Sequence, residues 1–171
     1  MEPDTYGIMD PRTYEDAIEG LCREIADDPL WESDFYVLFV RDGFRGEKVL
    51  LHIVSQLMDI RYHLSGWEYM AKLSILGLTI SRRYLYTARI ACQDLVTLSV
   101  EKHIEHGTNL LKHGETGVRI RIDDKIARLR QIFLSGRGSN AIPESNPWID
   151  ISGYSLQMIL ISRGHYTLPM R

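Results

Sequence analysis

Apolar residues recur at helical spacing through most of this 171-residue chain, and this periodicity limits the possible folds more than any other feature. After Thr13, a good helix cap, apolar side chains follow the i, i+3, i+4, i+7 rule until Asp28-Pro29 ends the run. The same spacing predicts further helices over about 47–64, 67–80, 81–106, 116–135 and 147–162. No stretch alternates apolar and polar residues long enough to form a sheet. We therefore expect an all-α helical bundle of about five to six helices.

Three details of this pattern carry their own expectations. Phe35 to Val40 is a continuous apolar run that periodicity cannot assign, and we favour helix there. Gly77 should weaken the middle of the helix over 67–80. Gly107 is placed to end the longest helix in a left-handed conformation, with a loop from there to Thr116.

Length and composition predict one folded domain over 1–171, with an N-terminal helical part at 1–80 and the helices of a functional site at 81–165. The hydrophobic fraction of 44% and the charged fraction of 25% are those of a globular protein. The first ten residues are acidic, unlike a signal peptide, and no apolar stretch is long enough to cross a membrane. Cys22 and Cys92 form neither a disulfide framework nor a zinc-binding spacing. A cytoplasmic protein is expected.

Charge is divided unevenly along the chain. Residues 1–42 contain 12 acids and 3 bases, whereas the rest contains 17 bases and 11 acids. Positive charge is densest between Arg119 and Arg137. That density could attract phosphate, or it could be a solvated helix face held by ion pairs. Nucleic acid is an unlikely partner for a chain with a net charge of −3.

Acidic side chains occur on three consecutive predicted helices. Carboxylates that project into a bundle from neighbouring helices bind hard divalent cations such as Mg²⁺ or Mn²⁺. Lysine and arginine beside them would suit a polyphosphate. The acids are Glu101, Glu105, Asp123, Asp124 and Asp150, and the bases on the same face as Asp124 are Lys125 and Arg128. Walker, GxGxxG, GxSxG and Cys-x-x-Cys motifs are absent from the sequence.

The last predicted helix has one face made by Asp150, Gly153, Tyr154 and Gln157. Glycine inside a helix costs about 1 kcal/mol relative to alanine, so close approach of a ligand or a neighbouring backbone would explain Gly153. Ordinary helix packing against that glycine is the alternative. His103 and His106 could form half of a metal site, although placement at a helix C-terminus also explains His106.

Three blocks of sequence resemble, in order, the phage nucleotide-modification-associated proteins, which are similar to the MazG-like, all-α nucleoside triphosphate pyrophosphohydrolases. The blocks are EKHIEHG at 101–107, RIRIDDKIARL at 119–129 and NPWIDISGYSL at 146–156. The middle block is the most specific. The resemblance extends over about 40% of the chain, from Leu95 to Ile161.

This resemblance implies a homo-oligomer, a dimer or tetramer, that converts a deoxynucleoside triphosphate to its monophosphate and pyrophosphate, with a purine such as dGTP as the candidate substrate. Glu101, Asp124 and Asp150 would be the metal ligands, with Asp123 or Glu105 as a further ligand or a water-orienting base. The substrate would contact Lys102, Lys125, Arg128 and Tyr154, with Lys125 and Arg128 holding the leaving pyrophosphate. A phage-encoded protein would work in the host cytoplasm.

Two other functions stay open. The carboxylate site could be degenerate, which would leave a nucleotide-binding or regulatory module, or the basic helix could bind nucleic acid. For a working metal site, asparagine at position 124 or 150 should abolish most turnover. Stability without metal should then stay level or rise, because repulsion between carboxylates is relieved.

Overall fold

The computed structural model describes residues 10–32, 52, 53, 55, 56, 59, 66–82, 87–134 and 147–171. These residues form five α-helices and no strand, which confirms the predicted all-α bundle. The helices are α1 (Tyr14–Ala26), α2 (Trp67–Arg82), α3 (Ala88–His106), α4 (Asn109–Leu134) and α5 (Pro147–Ser162), and a 3₁₀ turn at Pro29–Glu32 follows α1. The described positions between 52 and 59 are also helical, as predicted. The run from Phe35 to Val40 lies outside the described residues.

Helix α1 begins where the sequence predicts, because Thr13 and Asp16 form a capping box. The Thr13 hydroxyl accepts from the Asp16 backbone N–H, and the Asp16 carboxylate accepts from the Thr13 N–H. The apolar stripe of α1 is buried, including Ile18 and Leu21, and packs against α3. The predicted amphipathic helix is therefore confirmed at its N-terminus and along its buried face.

Helix α5 is the centre of the bundle and contacts all four other α-helices, most extensively α2. The ring of Trp148 is fully buried and lies directly on Gly77 of α2. A Cβ atom at position 77 would lie 2.3 Å from the Trp148 ring, closer than atoms can pack. Close by, the hydroxyl of Ser152 donates to that of Ser74 across the same interface at 2.9 Å. The absence of a side chain at Gly77 thus lets α2 and α5 approach closely, although glycine lowers the helix propensity of α2.

The boundaries of α3 and α4 differ from the predicted ones. Helix α3 starts at Ala88 rather than near 81, because Thr87 caps it by accepting from the Ile90 N–H. The predicted loop after Gly107 is mostly helical, since α4 already begins at Asn109. A break inside α4 occurs at Gly114, whose φ of 60° and ψ of −173° are non-helical. Gly107 does end α3 with a positive φ of 55°.

Basic residues from later in the chain neutralise the acidic N-terminal helix. Arg163 pairs with Glu24 at 3.0 Å and Arg171 with Asp16 at 2.7 Å, and the Tyr14 N–H donates to the Pro169 carbonyl. These contacts fasten the segment that follows α5 onto α1. Among the described residues, no helix is both long and apolar enough to cross a bilayer.

Candidate functional site

Helices α3, α4 and α5 enclose a cavity of about 310 Å³, which we call the α3–α5 cavity. Its apolar lining comes from Leu95 and Leu98 of α3 and Leu110 of α4. Tyr14 of α1 and Tyr166, beyond the end of α5, close it on one side. A volume of this size lies at the lower end of the range for small-molecule sites in proteins, about 300–1,000 Å³.

One helical face of α5 lines this cavity. Asp150, Gly153, Tyr154 and Gln157 all contribute to the lining, so the face identified in the sequence is one continuous wall. Among the described residues, no atom beyond its own helical turn and chain neighbours would lie within 4 Å of a Cβ at Gly153. Packing of a neighbouring helix against Gly153 therefore does not explain this glycine. The missing side chain of Gly153 leaves open space on the cavity side of α5.

The cavity is cationic near the first turn of α5. Asp150 Oδ2 is 3.2 Å from Lys125 Nζ, and Asp150 Oδ1 is 3.6 Å from Lys102 Nζ. One turn along α5, the Tyr154 hydroxyl accepts from the Arg121 guanidinium at 3.3 Å. Two of these cations, Lys102 and Lys125, pair with the one carboxylate, and Lys102 and Arg121 belong to the cavity lining. Positive charge at this end therefore favours an anionic ligand.

The opposite end of the α5 face, about 10 Å further along the helix at 1.5 Å per residue, is aromatic. The Tyr14 hydroxyl donates to Gln157 Oε1 at 2.7 Å. The imidazole of His103 stacks on the Tyr14 ring with centroids 3.8 Å apart, and Tyr166 meets His103 edge-on at 5.0 Å. Burial raises the pKa of Tyr14 and of Tyr166, so both hydroxyls stay protonated and neutral.

His103 contributes an unused polar group to this end. Its side chain is buried, with 9% relative exposure, and Nδ1 has no hydrogen-bond partner in the described structure. Burial lowers the pKa of His103 below its ordinary value, which favours the neutral imidazole. A buried nitrogen without a partner costs about 1–3 kcal/mol. Because His103 also lines the cavity, its Nδ1 could pair with a polar group that enters the cavity.

The structure does not bring the three predicted metal ligands together. Within the part of the chain that the structure describes, no three His, Cys, Asp or Glu residues are close enough to share a metal ion. Glu101 and Asp124 have exposed side chains. Both oxygens of Asp150 face lysine ammonium groups, which occupy the positions that a cation would need. The donor set therefore does not fit a Mg²⁺ or Mn²⁺ held by Glu101, Asp124 and Asp150.

The other predicted residues divide between the cavity and the surface. Lys102 and Tyr154 line the cavity, and Lys125 reaches it through Asp150. Glu105 is exposed and lies 3.6 Å from the His106 imidazole. Arg128 and Asp123 are half-buried and are not part of the cavity lining.

Sequence reasoning did not predict several of the lining residues, among them Tyr14, Arg121 and Tyr166. Tyr14 and Gln157 are 143 positions apart, so no local pattern could pair them. Arg121 does carry a signal, because the Arg-x-Arg-Ile sequence before Asp123 was already the most specific block.

No protein-family model, curated protein or solved structure matches this chain. The resemblance of its three blocks to nucleotide-modification-associated proteins stays a prediction.

Proposed function

We propose that this chain binds a nucleoside triphosphate in the α3–α5 cavity and hydrolyses it to the monophosphate and pyrophosphate. The observation that carries the binding part is the polarity of the cavity, which has Lys102 and Arg121 at one end of the α5 face, with Lys125 behind Asp150, and stacked aromatic rings at the other end. The hydrolysis part is supported by the sequence resemblance.

The cationic end suits the phosphates. Lys102 and Arg121 belong to the lining and present N–H donors that charged oxygens accept strongly. Lys125 shares Asp150 with Lys102, so an incoming phosphate can take the place of the carboxylate beside either ammonium. Charge on a leaving pyrophosphate would be stabilised by the same groups.

The aromatic end suits a planar base. The stacked Tyr14 and His103 rings and the edge of Tyr166 form a rigid wall, and Leu95, Leu98 and Leu110 add apolar surface. Gln157 accepts from Tyr14 through Oε1, which leaves its amide N–H groups as donors to a ligand. Stacking with a few fixed donors is a common mode of nucleobase recognition.

Calorimetric titration with nucleoside tri-, di- and monophosphates and with inorganic phosphate tests the binding. We expect affinity to rise with the number of phosphates. Lys102→Gln and Arg121→Gln should each weaken triphosphate binding by about tenfold or more, because each removes a charged donor. Arg130→Gln is the matched control. Arg130 is an exposed cation of α4, the helix that carries Arg121, and it is outside the cavity lining. Equal weakening by all three variants would indicate general charge attraction instead.

Filling the cavity is a second test that removes no charge. Gly153→Leu places an apolar side chain in the open space beside Tyr154 and should abolish nucleotide binding. Gly20→Leu is its control, because Gly20 is also helical, an added Cβ there would contact no other element in the described part of the chain, and the residue is outside the cavity. Binding that survives Gly153→Leu would place the nucleotide elsewhere.

Turnover in ¹⁸O-water tests the reaction. Attack at the α-phosphorus labels the nucleoside monophosphate and leaves pyrophosphate unlabelled. Label in pyrophosphate, or accumulation of diphosphate, would contradict the proposed bond cleavage. The predicted dependence on Mg²⁺ or Mn²⁺ is tested in the same assay with each metal and with a chelator.

The alternative functions give different results in these assays. Tight nucleotide binding without turnover under any metal condition identifies a nucleotide-binding or regulatory module. Binding to DNA or RNA that weakens steeply with salt, together with no affinity for free nucleotides, identifies a nucleic-acid-binding protein.

A further inference from the structure

A second cavity, of about 390 Å³, opens between α1 and α3, away from the α3–α5 cavity. Cys22 of α1 and Cys92 of α3 both contribute to its lining, together with Arg89 and the polar side chains of Glu19, Gln93 and Thr97. Both thiols are buried, with 3% exposure, and both are free. Two reduced thiols therefore line one cavity that small polar molecules can enter.

Cys22 and Cys92 lie where α1 packs against α3, and their surroundings differ. Arg89, less than one turn before Cys92 on α3, lines the same cavity. The Cys22 thiol and the Arg89 guanidinium lower the pKa of Cys92, whereas the Cys92 thiol and burial raise that of Cys22. Arg89 is held at this position by Asp27, at 2.8 Å.

We propose that Cys22 and Cys92 form a site of reversible oxidation, at which a hydroperoxide converts the thiol pair to a disulfide joining α1 to α3. With hydrogen peroxide, the Cys92 thiolate attacks one peroxide oxygen and the O–O bond breaks. This gives a Cys92 sulfenic acid and hydroxide, which takes up the proton that Cys92 released and becomes water. The sulfur of Cys22 then attacks that of Cys92, the S–O bond breaks, and hydroxide leaves with the Cys22 proton as a second water. The two thiols lose two electrons and two protons in total, and the peroxide is reduced to two waters.

The placement of both thiols at one cavity determines this product. A buried thiol with no neighbour would stop at the sulfenic acid or oxidise further, whereas Cys22 lines the same cavity and resolves it. Another dithiol can reverse the bond by exchange, so the site is compatible with a reducing compartment. The proposal is independent of nucleotide binding because none of these residues lines the α3–α5 cavity.

Treatment of the native wild-type protein with a small excess of hydrogen peroxide is the test. We expect both free thiols to disappear together, the intact mass to fall by two hydrogens, and a non-reducing digest to link the peptides of Cys22 and Cys92. A reducing agent should restore both thiols. Thiols that persist in the folded protein, that react only in denaturant, or that link two chains would overturn the proposal.

Variants test the order of the steps. In Cys22→Ser, a sulfenic-acid reagent should label Cys92, since nothing resolves the intermediate. In Cys92→Ser, Cys22 should stay largely unlabelled. Arg89→Gln should slow thiol loss several-fold, whereas Arg82→Gln, which changes an arginine outside this cavity, should not. Labelling of Cys22 in preference to Cys92 would overturn the assignment of Cys92 as the nucleophile.

Discussion

Two glycines inside helices have different surroundings, and the surroundings determine how a substitution changes the stability of the protein. Gly77 is covered by the buried ring of Trp148, whereas Gly153 faces open cavity. Both carry the same intrinsic cost to a helix, about 1 kcal/mol relative to alanine. The sequence predicts that cost at each position, but only the packing shows which glycine the fold needs.

Gly77→Ala should therefore destabilise the protein. The added methyl would lie 2.3 Å from Trp148, so the ring or α5 must shift, at a cost of about 1–3 kcal/mol. Gly20→Ala, in open space on α1, should instead gain up to about 1 kcal/mol. Urea denaturation of both variants measures the difference. Equal stability for the two would contradict the close contact between α2 and α5.

His103 should make stability depend on pH near neutrality. Because burial lowers its pKa in the folded protein, the unfolded chain takes up a proton first as the pH falls below 6.5. The free energy of unfolding should decrease through that range, and the decrease should end once the pH is below the folded pKa. Urea denaturation above and below pH 6.5 should show this loss in the wild type and a smaller one in His103→Gln.

His113→Gln is the control for this pH dependence. His113 also lines the cavity, but its side chain is exposed. It should keep the full loss of stability seen in the wild type. If His103→Gln keeps it as well, the buried imidazole is not its source.

At the scale of elements, helix bounds that depend on local caps and spacing could be predicted from the sequence, whereas those that depend on side-chain contacts could not. The start of α1, the extent of α2 and the cavity face of α5 follow from caps and helical spacing. The start of α3 at Ala88 was missed, because capping by Thr87 competes with an apolar stripe that continues upstream. The predicted convergence of three acids is likewise not found. Helical spacing cannot show that the carboxylate of Asp150 faces lysines.

The ion pairs of Asp150 reverse one expectation from the sequence. Asp150→Asn was expected to leave stability level or raise it, but it removes the counter-charge of Lys102 and Lys125. We now expect a loss of up to about 1 kcal/mol in the free energy of unfolding, and tighter binding of inorganic phosphate. Asp124→Asn, at an exposed position, should change neither. Thermal melts with and without phosphate test both statements, and stabilisation by Asp150→Asn would favour the metal site.

At the scale of the whole molecule, opposite charges at the two ends of the sequence are brought together. Arg163 pairs with Glu24 of α1 and Arg171 with Asp16 and Glu19, so acids of α1 are paired with bases from the other end of the chain. The basic region from Arg119 divides between two settings, since Arg121 lines the cavity and Lys125 pairs with Asp150, whereas Arg119 pairs with Glu115 and lies over Trp67. The ion-pair interpretation therefore holds for Arg119, and attraction of phosphate by Arg121 stays a prediction.

The predicted homo-oligomer also belongs to this scale. Light scattering coupled to size-exclusion chromatography should give the mass of a dimer or tetramer. Ile104 and Ile120 are more than 60% exposed, and a subunit interface that includes them would remove this apolar surface from water. Ile120→Asp should then lower the mass toward that of one chain. A wild-type mass equal to one chain would contradict the prediction.

Tyr14, His103, Gln157 and Tyr166 form one connected assembly, although they come from the beginning, middle and end of the chain. The shape of each ring limits its neighbours, so a change at one position alters what the others can accommodate. In diverging descendants of this sequence, these four positions should be replaced in concert rather than singly. The four residues would then be conserved together or replaced together.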